Sequence, residues 1–91
     1  MSVQKSESET ARFTVTAAAA PGVLPRVLQL FAKRGLVPDR FDASRDGAAL
    51  TIHIEMREMD QELAHYIGRC LDEIIEVDRV LVSEKRYADV A

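Results

Sequence analysis

The stretch Ala17-Ala18-Ala19-Ala20-Pro21-Gly22-Val23-Leu24-Pro25-Arg26-Val27-Leu28-Gln29-Leu30-Phe31-Ala32-Lys33-Arg34-Gly35 reads as a turn that feeds an amphipathic helix. Leu24, Val27, Leu28 and Phe31 recur at the three-and-four spacing of one helical face. Val23 and Leu30 widen that stripe, and Arg26, Lys33 and Arg34 fall off it. Pro25 is tolerated only in a first turn, where its missing N–H has no helical partner, so the helix starts between Pro21 and Leu24. Lys33 and Arg34 put positive charge at the end, and Gly35 can take the left-handed conformation that closes a helix. An apolar helical face of this width needs a sheet to lie on.

The rest of the chain supplies one. Phe13 and Val15 alternate with Arg12, Thr14 and Thr16, which predicts a first strand over 12–17. After Gly35, residues 36–43 read as a weaker strand at an edge of the sheet, because Pro38 cannot donate to a ladder. Ser44-Arg45-Asp46-Gly47 supplies a hairpin turn, and residues 48–56 form the clearest strand. There Leu50, Ile52, Ile54 and Met56 share one face, and Ala49, Thr51, His53 and Glu55 the other. Asp60 is placed to cap a second helix whose stripe is Leu63, Ile67, Cys70, Leu71 and Ile74, slightly weakened by Gly68. Residues 76–84 give a last strand. The order is βαββαβ, and two helical crossovers joined by one hairpin make an α+β fold of ferredoxin-like type, a four-stranded antiparallel sheet with both helices on one face.

At 91 residues the chain has room for one core, since a domain this size buries only about 60–65% of its unfolded surface. The domain is read as 12–85, between a polar, Ser- and Glu-rich tail over 1–11, expected to be disordered, and a short tail over 86–91. The formal charge is −3 with both signs interspersed, so nothing marks a polyanion-binding surface. A single cysteine, Cys70, excludes an internal disulfide and suits a reducing compartment, and no apolar run approaches the length of a membrane span. A soluble, cytoplasmic protein is expected.

Catalytic chemistry finds little footing. His53 lies on the sheet face away from the helices with no nucleophile or carboxylate placed to orient it, and His65 sits on the polar face of the second helix beside Tyr66 and Arg69. Cys70 falls on an apolar stripe with no second cysteine or histidine at ligand spacing, so no metal is expected. Asp72, Glu73 and Glu76 read as a solvated helix end. The related acyl-phosphate-hydrolysing fold needs an arginine in its first loop, where this chain has four alanines. RNA-reading sheets display aromatics on their open face, whereas the positions here hold Arg12, Thr14, Thr16, Thr51 and His53. The expectation is a protein with no catalysis, no cofactor and no nucleic-acid or membrane partner. Its open sheet face (Thr14, Thr16, Thr51, His53) and its Pro38-containing edge would be covered in a two-fold homodimer.

The residues also carry a resemblance. Phe13-Thr14-Val15-Thr16, then Pro21-Gly22-Val23-Leu24-x-Arg26-Val27-x-x-Leu30-Phe31-x-x-Arg34-Gly35, resembles the start of an ACT domain, in particular that of the short, single-domain acetohydroxyacid synthase (acetolactate synthase) small regulatory subunits, with the similarity extending over 13–84. The resemblance implies a non-catalytic regulatory subunit of the synthase in branched-chain amino-acid biosynthesis. It implies a dimer that holds an amino acid where the first loop meets the neighbouring copy, around Ala19, Ala20, Pro21, Gly22, Val23, Leu24, Val37 and Asp39. The alternative is a stand-alone amino-acid or small-molecule sensing homodimer that acts on another enzyme or a transporter.

Backbone N–H groups at Gly22, Val23 and Leu24 open a helix and suit a carboxylate. The polar anchors depart from the family, however. Valine-responsive relatives carry an asparagine where this chain has Ala19, and often a polar residue where it has Val37. With no side chain to meet an ammonium except a more distant Asp39, valine binding is expected to be weak or absent.

Overall fold

The computed structural model describes residues 8–87. Alternating and helical segments become β1 (Ser8–Ala18), α1 (Val23–Ala32), β2 (Arg40–Asp46), β3 (Ala49–Arg57), α2 (Gln61–Asp72) and β4 (Val77–Tyr87). All pairings are antiparallel in the order β2-β3-β1-β4, the ferredoxin-like arrangement expected from the sequence. Ala11, Phe13, Val15 and Ala17 of β1 and Leu50, Ile52, Ile54 and Met56 of β3 form the buried face of the sheet. Val23, Val27 and Phe31 of α1 and Ala64, Ile67 and Leu71 of α2 close over it, and the rings of Phe13 and Phe31 meet edge to face at 5.8 Å.

The strands are longer than their local pattern implies. β1 begins at Ser8, so residues 8–11 belong to the sheet and not to a tail; residues 1–7 lie outside the described segment, as do 88–91. The reason is position: β1 is central, with β3 on one side (Thr10↔Arg57, Ala11↔Met56) and β4 on the other (Ser8↔Tyr87), so its backbone pairs even where the side chains are poor strand formers. Thr10 and Ala11 are buried. β4 likewise continues beyond the expected end at 84 to Tyr87.

β2 shifts in the opposite sense. It starts at Arg40, leaving residues 36–39 as a connection, because Pro38 lacks an N–H and restricts Val37 before it. It then runs through Ser44, Arg45 and Asp46, where the sequence predicts a turn. The turn itself is only Gly47 and Ala48, with Asp46 paired to Ala49 and a φ of +63° at Gly47, the two-residue hairpin that a glycine at its first position permits.

α1 starts after Gly22 and holds Pro25 in its first turn, as expected. It ends at Ala32, one residue before the two basic residues, in a Schellman closure. Gly35 at φ +71° donates to Ala32 O (3.0 Å) and Leu36 to Phe31 O (2.9 Å). Arg34 then folds back, its Nη1 donating to Leu30 O at 2.9 Å and its Nη2 to Tyr66 Oη at 2.9 Å. α2 is turned by about one residue from the expected stripe. Ala64, Ile67, Gly68 and Leu71 are buried, whereas Leu63 and Cys70 are half-buried. Gly68 faces β4 at close range, so the residue that weakens the helix by propensity is the one its packing requires.

Candidate functional site

One end of the sheet gathers the β1–α1 loop, the β2–β3 hairpin and the α2–β4 connection. Ala18 N–H donates to Glu76 O and Ala19 N–H to Ala48 O, both at 2.9 Å, so the loop is pinned from two sides. A skipped residue in β4, with Thr16 opposite Arg79 but Ala17 opposite Val77, lets β1 leave the sheet there. Arg26 Nη1 lies 3.3 Å from Glu76 Oε1 and ties the first turn of α1 to the same end.

Of the loop donors expected to meet a carboxylate, Val23 N–H is spent on Ala20 O at 3.2 Å. No backbone acceptor within the described residues takes the N–H of Gly22 or Leu24, and the first turn of α1 contains no acidic side chain to offset the helix dipole. Beside the loop is a cleft of about 250 Å³ lined by Ala19, Ala20, Pro21, Leu24, Arg45 and Leu50. Its charge comes from Arg45, a residue outside the set expected from the sequence. The sequence pattern places it in the turn, but pairing with Leu50 puts it on the helix side of the hairpin, with its Nε donating to Gly47 O at 2.8 Å. Counting a two-residue loop from Gly47 would have found it.

Val37 and Asp39 are not brought to this cleft within one chain. Both precede β2, whose length at about 3.3 Å per residue holds Asp39 about 20 Å from the hairpin end. Val37 is 82% exposed. Asp39 is engaged locally: its N–H donates to Glu55 O (2.9 Å), and its Oδ2 accepts from Arg57 N–H (2.7 Å).

The open face of the sheet is polar. Register sets Arg40, Glu55, Arg12 and Ser83 in one row and Asp42, His53, Thr14 and Leu81 in the next. Arg40 Nε donates to Asp42 Oδ2 at 2.9 Å; that bond first, then the charges of Asp42 and Glu55, hold the guanidinium above the ordinary arginine range. Arg12 Nε lies 3.2 Å from Glu55 Oε2, yet its N–H is not aligned on the carboxylate and is left without an acceptor. His53 Nδ1 stands 3.4 Å from Thr14 Oγ1, a contact that orients no base for catalysis. Among the described residues, no group of three or more His, Cys, Asp or Glu side chains could hold a metal ion, and no helix is long and apolar enough to cross a membrane.

A family model described as ACT-like domain matches residues 4–88. No curated protein matches the chain significantly. Among solved structures, the ACT domain of GTP pyrophosphokinase from Chlorobium tepidum superposes with a TM-score of 0.72 at 9% identity, over 81% of this chain and 96% of that one. The C-terminal domain of the MgtC protein from Mycobacterium tuberculosis gives 0.70 at 11% identity over 98% and 100%. An ACT domain protein from Streptococcus pneumoniae gives 0.58 at 16% identity over 86% and 89%. At such identities these likenesses speak to the fold.

Proposed function

The chain belongs to the ACT-like domain family, and we propose that it is a non-catalytic regulatory or accessory subunit whose enzyme is the catalytic subunit of acetohydroxyacid synthase in branched-chain amino-acid biosynthesis. The observation that carries a regulatory reading is the β1–α1 loop. It is pinned to the hairpin and to the α2–β4 connection, it keeps the Gly22 and Leu24 N–H groups uncommitted, and it borders a small cleft with Arg45 at its wall. Such a loop can take a carboxylate and pass its presence to two neighbouring segments. The synthase as partner is supported by the Pro21-Gly22-Val23-Leu24 and Leu30-Phe31-x-x-Arg34-Gly35 elements alone.

Two measurements test the reading together: recovery of a thiamine-diphosphate-dependent synthase on the tagged chain from the source cell, and a change in synthase activity when the chain is added. Loss of both overturns it. A second reading, a small-carboxylate sensor acting on another enzyme or a transporter, is favoured by Arg45, which supplies a carboxylate partner where the loop itself has only alanines. A gene for a synthase catalytic subunit beside this one separates the two readings.

A further inference from the structure

We propose that the open face of the sheet holds a binding site of its own, for a small carboxylate that bears a hydroxyl on the neighbouring carbon. A cavity of about 430 Å³ lies on that face and shares no lining residue with the cleft beside the β1–α1 loop. Every side chain that reaches it is polar. Phe13 and Ile54 also border it, but their side chains are buried on the other face of the sheet, so they contribute main chain. A ligand with an aliphatic side chain finds nothing to lie against there.

The frame of the site is a square on the two central strands. Arg12 pairs with Glu55 and Thr14 with His53 across β1 and β3, which sets four polar side chains at corners about 5 Å by 7 Å apart. That span matches a polar molecule of about three or four carbon atoms. Arg40 and Asp42 of β2 stand on one flank, and Ser83 of β4 on the other.

The observation that points to a ligand is Arg12. Its Nε is buried yet has no acceptor, even with Glu55 Oε2 only 3.2 Å away. A buried donor without a partner is costly, and an anion that enters the cavity supplies the missing acceptor. Glu55 does not forbid this, since register sets it between Arg40 and Arg12, two guanidiniums flanking one carboxylate. Thr14 Oγ1, 3.4 Å from His53 Nδ1, offers a further donor. On the acidic side, Glu55 and Asp42 each face an arginine with one oxygen and keep the other. An ammonium would compete with Arg12 and Arg40 for these carboxylates, whereas a hydroxyl donates to one of them without adding charge. A second copy laid across this face would have to desolvate both arginines and both carboxylates; a small ligand need not.

The site belongs to the sheet and does not depend on which enzyme the chain regulates. Its test is an NMR titration of the whole chain with glycerate, with acetate, glycerol and serine as comparisons. Glycerate should move the amide signals of residues 12–14 and 53–55 with a Kd of about 1 mM or below, and the other three should bind at least about tenfold more weakly. Arg12→Gln should weaken glycerate binding by about tenfold or more and Thr14→Val by several-fold, with the rest of the amide spectrum unchanged. Arg45→Ala, which removes the charge of the loop cleft, should leave glycerate binding as it is. No binding at about 20 mM glycerate, signals that move only over 19–24, acetate as tight as glycerate, or normal binding by Arg12→Gln overturns the proposal. Serine as tight as glycerate overturns the choice of a hydroxyl over an ammonium. Failure of the synthase pull-down leaves each of these outcomes standing, so the two readings fail separately.

Discussion

A β-carbon built on Gly68 of α2 falls 2.6 Å from Cγ2 of Val82 on β4, closer than real β-carbons approach. The Val82 side chain alone fills the space between helix and strand at that point. Valine is stiff about χ1 and cannot simply swing aside. Gly68→Ala should therefore destabilise, although alanine is the better helix former by about 1 kcal/mol, because overpacking costs typically 1–3 kcal/mol. Thermal unfolding followed by circular dichroism should show a lower Tm for Gly68→Ala, with part of the loss recovered when Val82→Ala is added. An unchanged or higher Tm would mean that α2 rides over β4 more loosely than this contact implies.

The edge-to-face pair of Phe13 and Phe31 bridges sheet and α1 with both rings buried. Phe31→Ala should cost about 3–5 kcal/mol, a large part of the 5–15 kcal/mol that such domains possess. Phe31→Leu, which refills most of the space, should lose less than half as much. Urea denaturation with an unchanged m-value checks both.

Asp39 serves the entry to β2 by accepting from Arg57 N–H at 2.7 Å. Asp39→Ala should cost about 1 kcal/mol of stability, and Asp39→Asn, which keeps an acceptor oxygen, less than half of that. Hydrogen exchange at the Arg57 amide reads the contact directly. It should accelerate in the alanine variant, and equal exchange in all three proteins would show that the bond contributes nothing.

Valine should bind weakly. Arg45 and the free loop N–H groups can meet a carboxylate, but Ala19 and Ala20 give an ammonium nothing, and Asp39 of the same chain is both distant and engaged. Calorimetry with valine, leucine and isoleucine should give dissociation constants above about 100 μM, roughly −5.5 kcal/mol. Arg45→Ala should abolish whatever heat remains. Tighter binding would contradict this account of the loop, and Asp39→Ala would then tell whether an acid supplied across a dimer holds the ammonium.

Strand and helix identity, their order and therefore the fold were legible in the residues, because alternation at Leu50, Ile52, Ile54 and Met56, helical spacing from Val23 to Phe31, and the chemistry of Pro25, Gly35 and Gly47 act over one or two turns of chain. The loop from Ala19 to Leu24 was marked as a candidate by the resemblance of its motif and by the helix N-terminus that it opens. What the tertiary structure decided was which segments became neighbours. Residues 8–11 entered the sheet because both sides of β1 are paired, Gly68 met Val82 across an approach no helix pattern encodes, Arg45 reached the cleft through its register with Leu50, and Asp39 was carried to the far end by the length of β2. Each of these depends on contacts between residues far apart in sequence, whose relative placement is set by the packing of the whole sheet and not by any local preference.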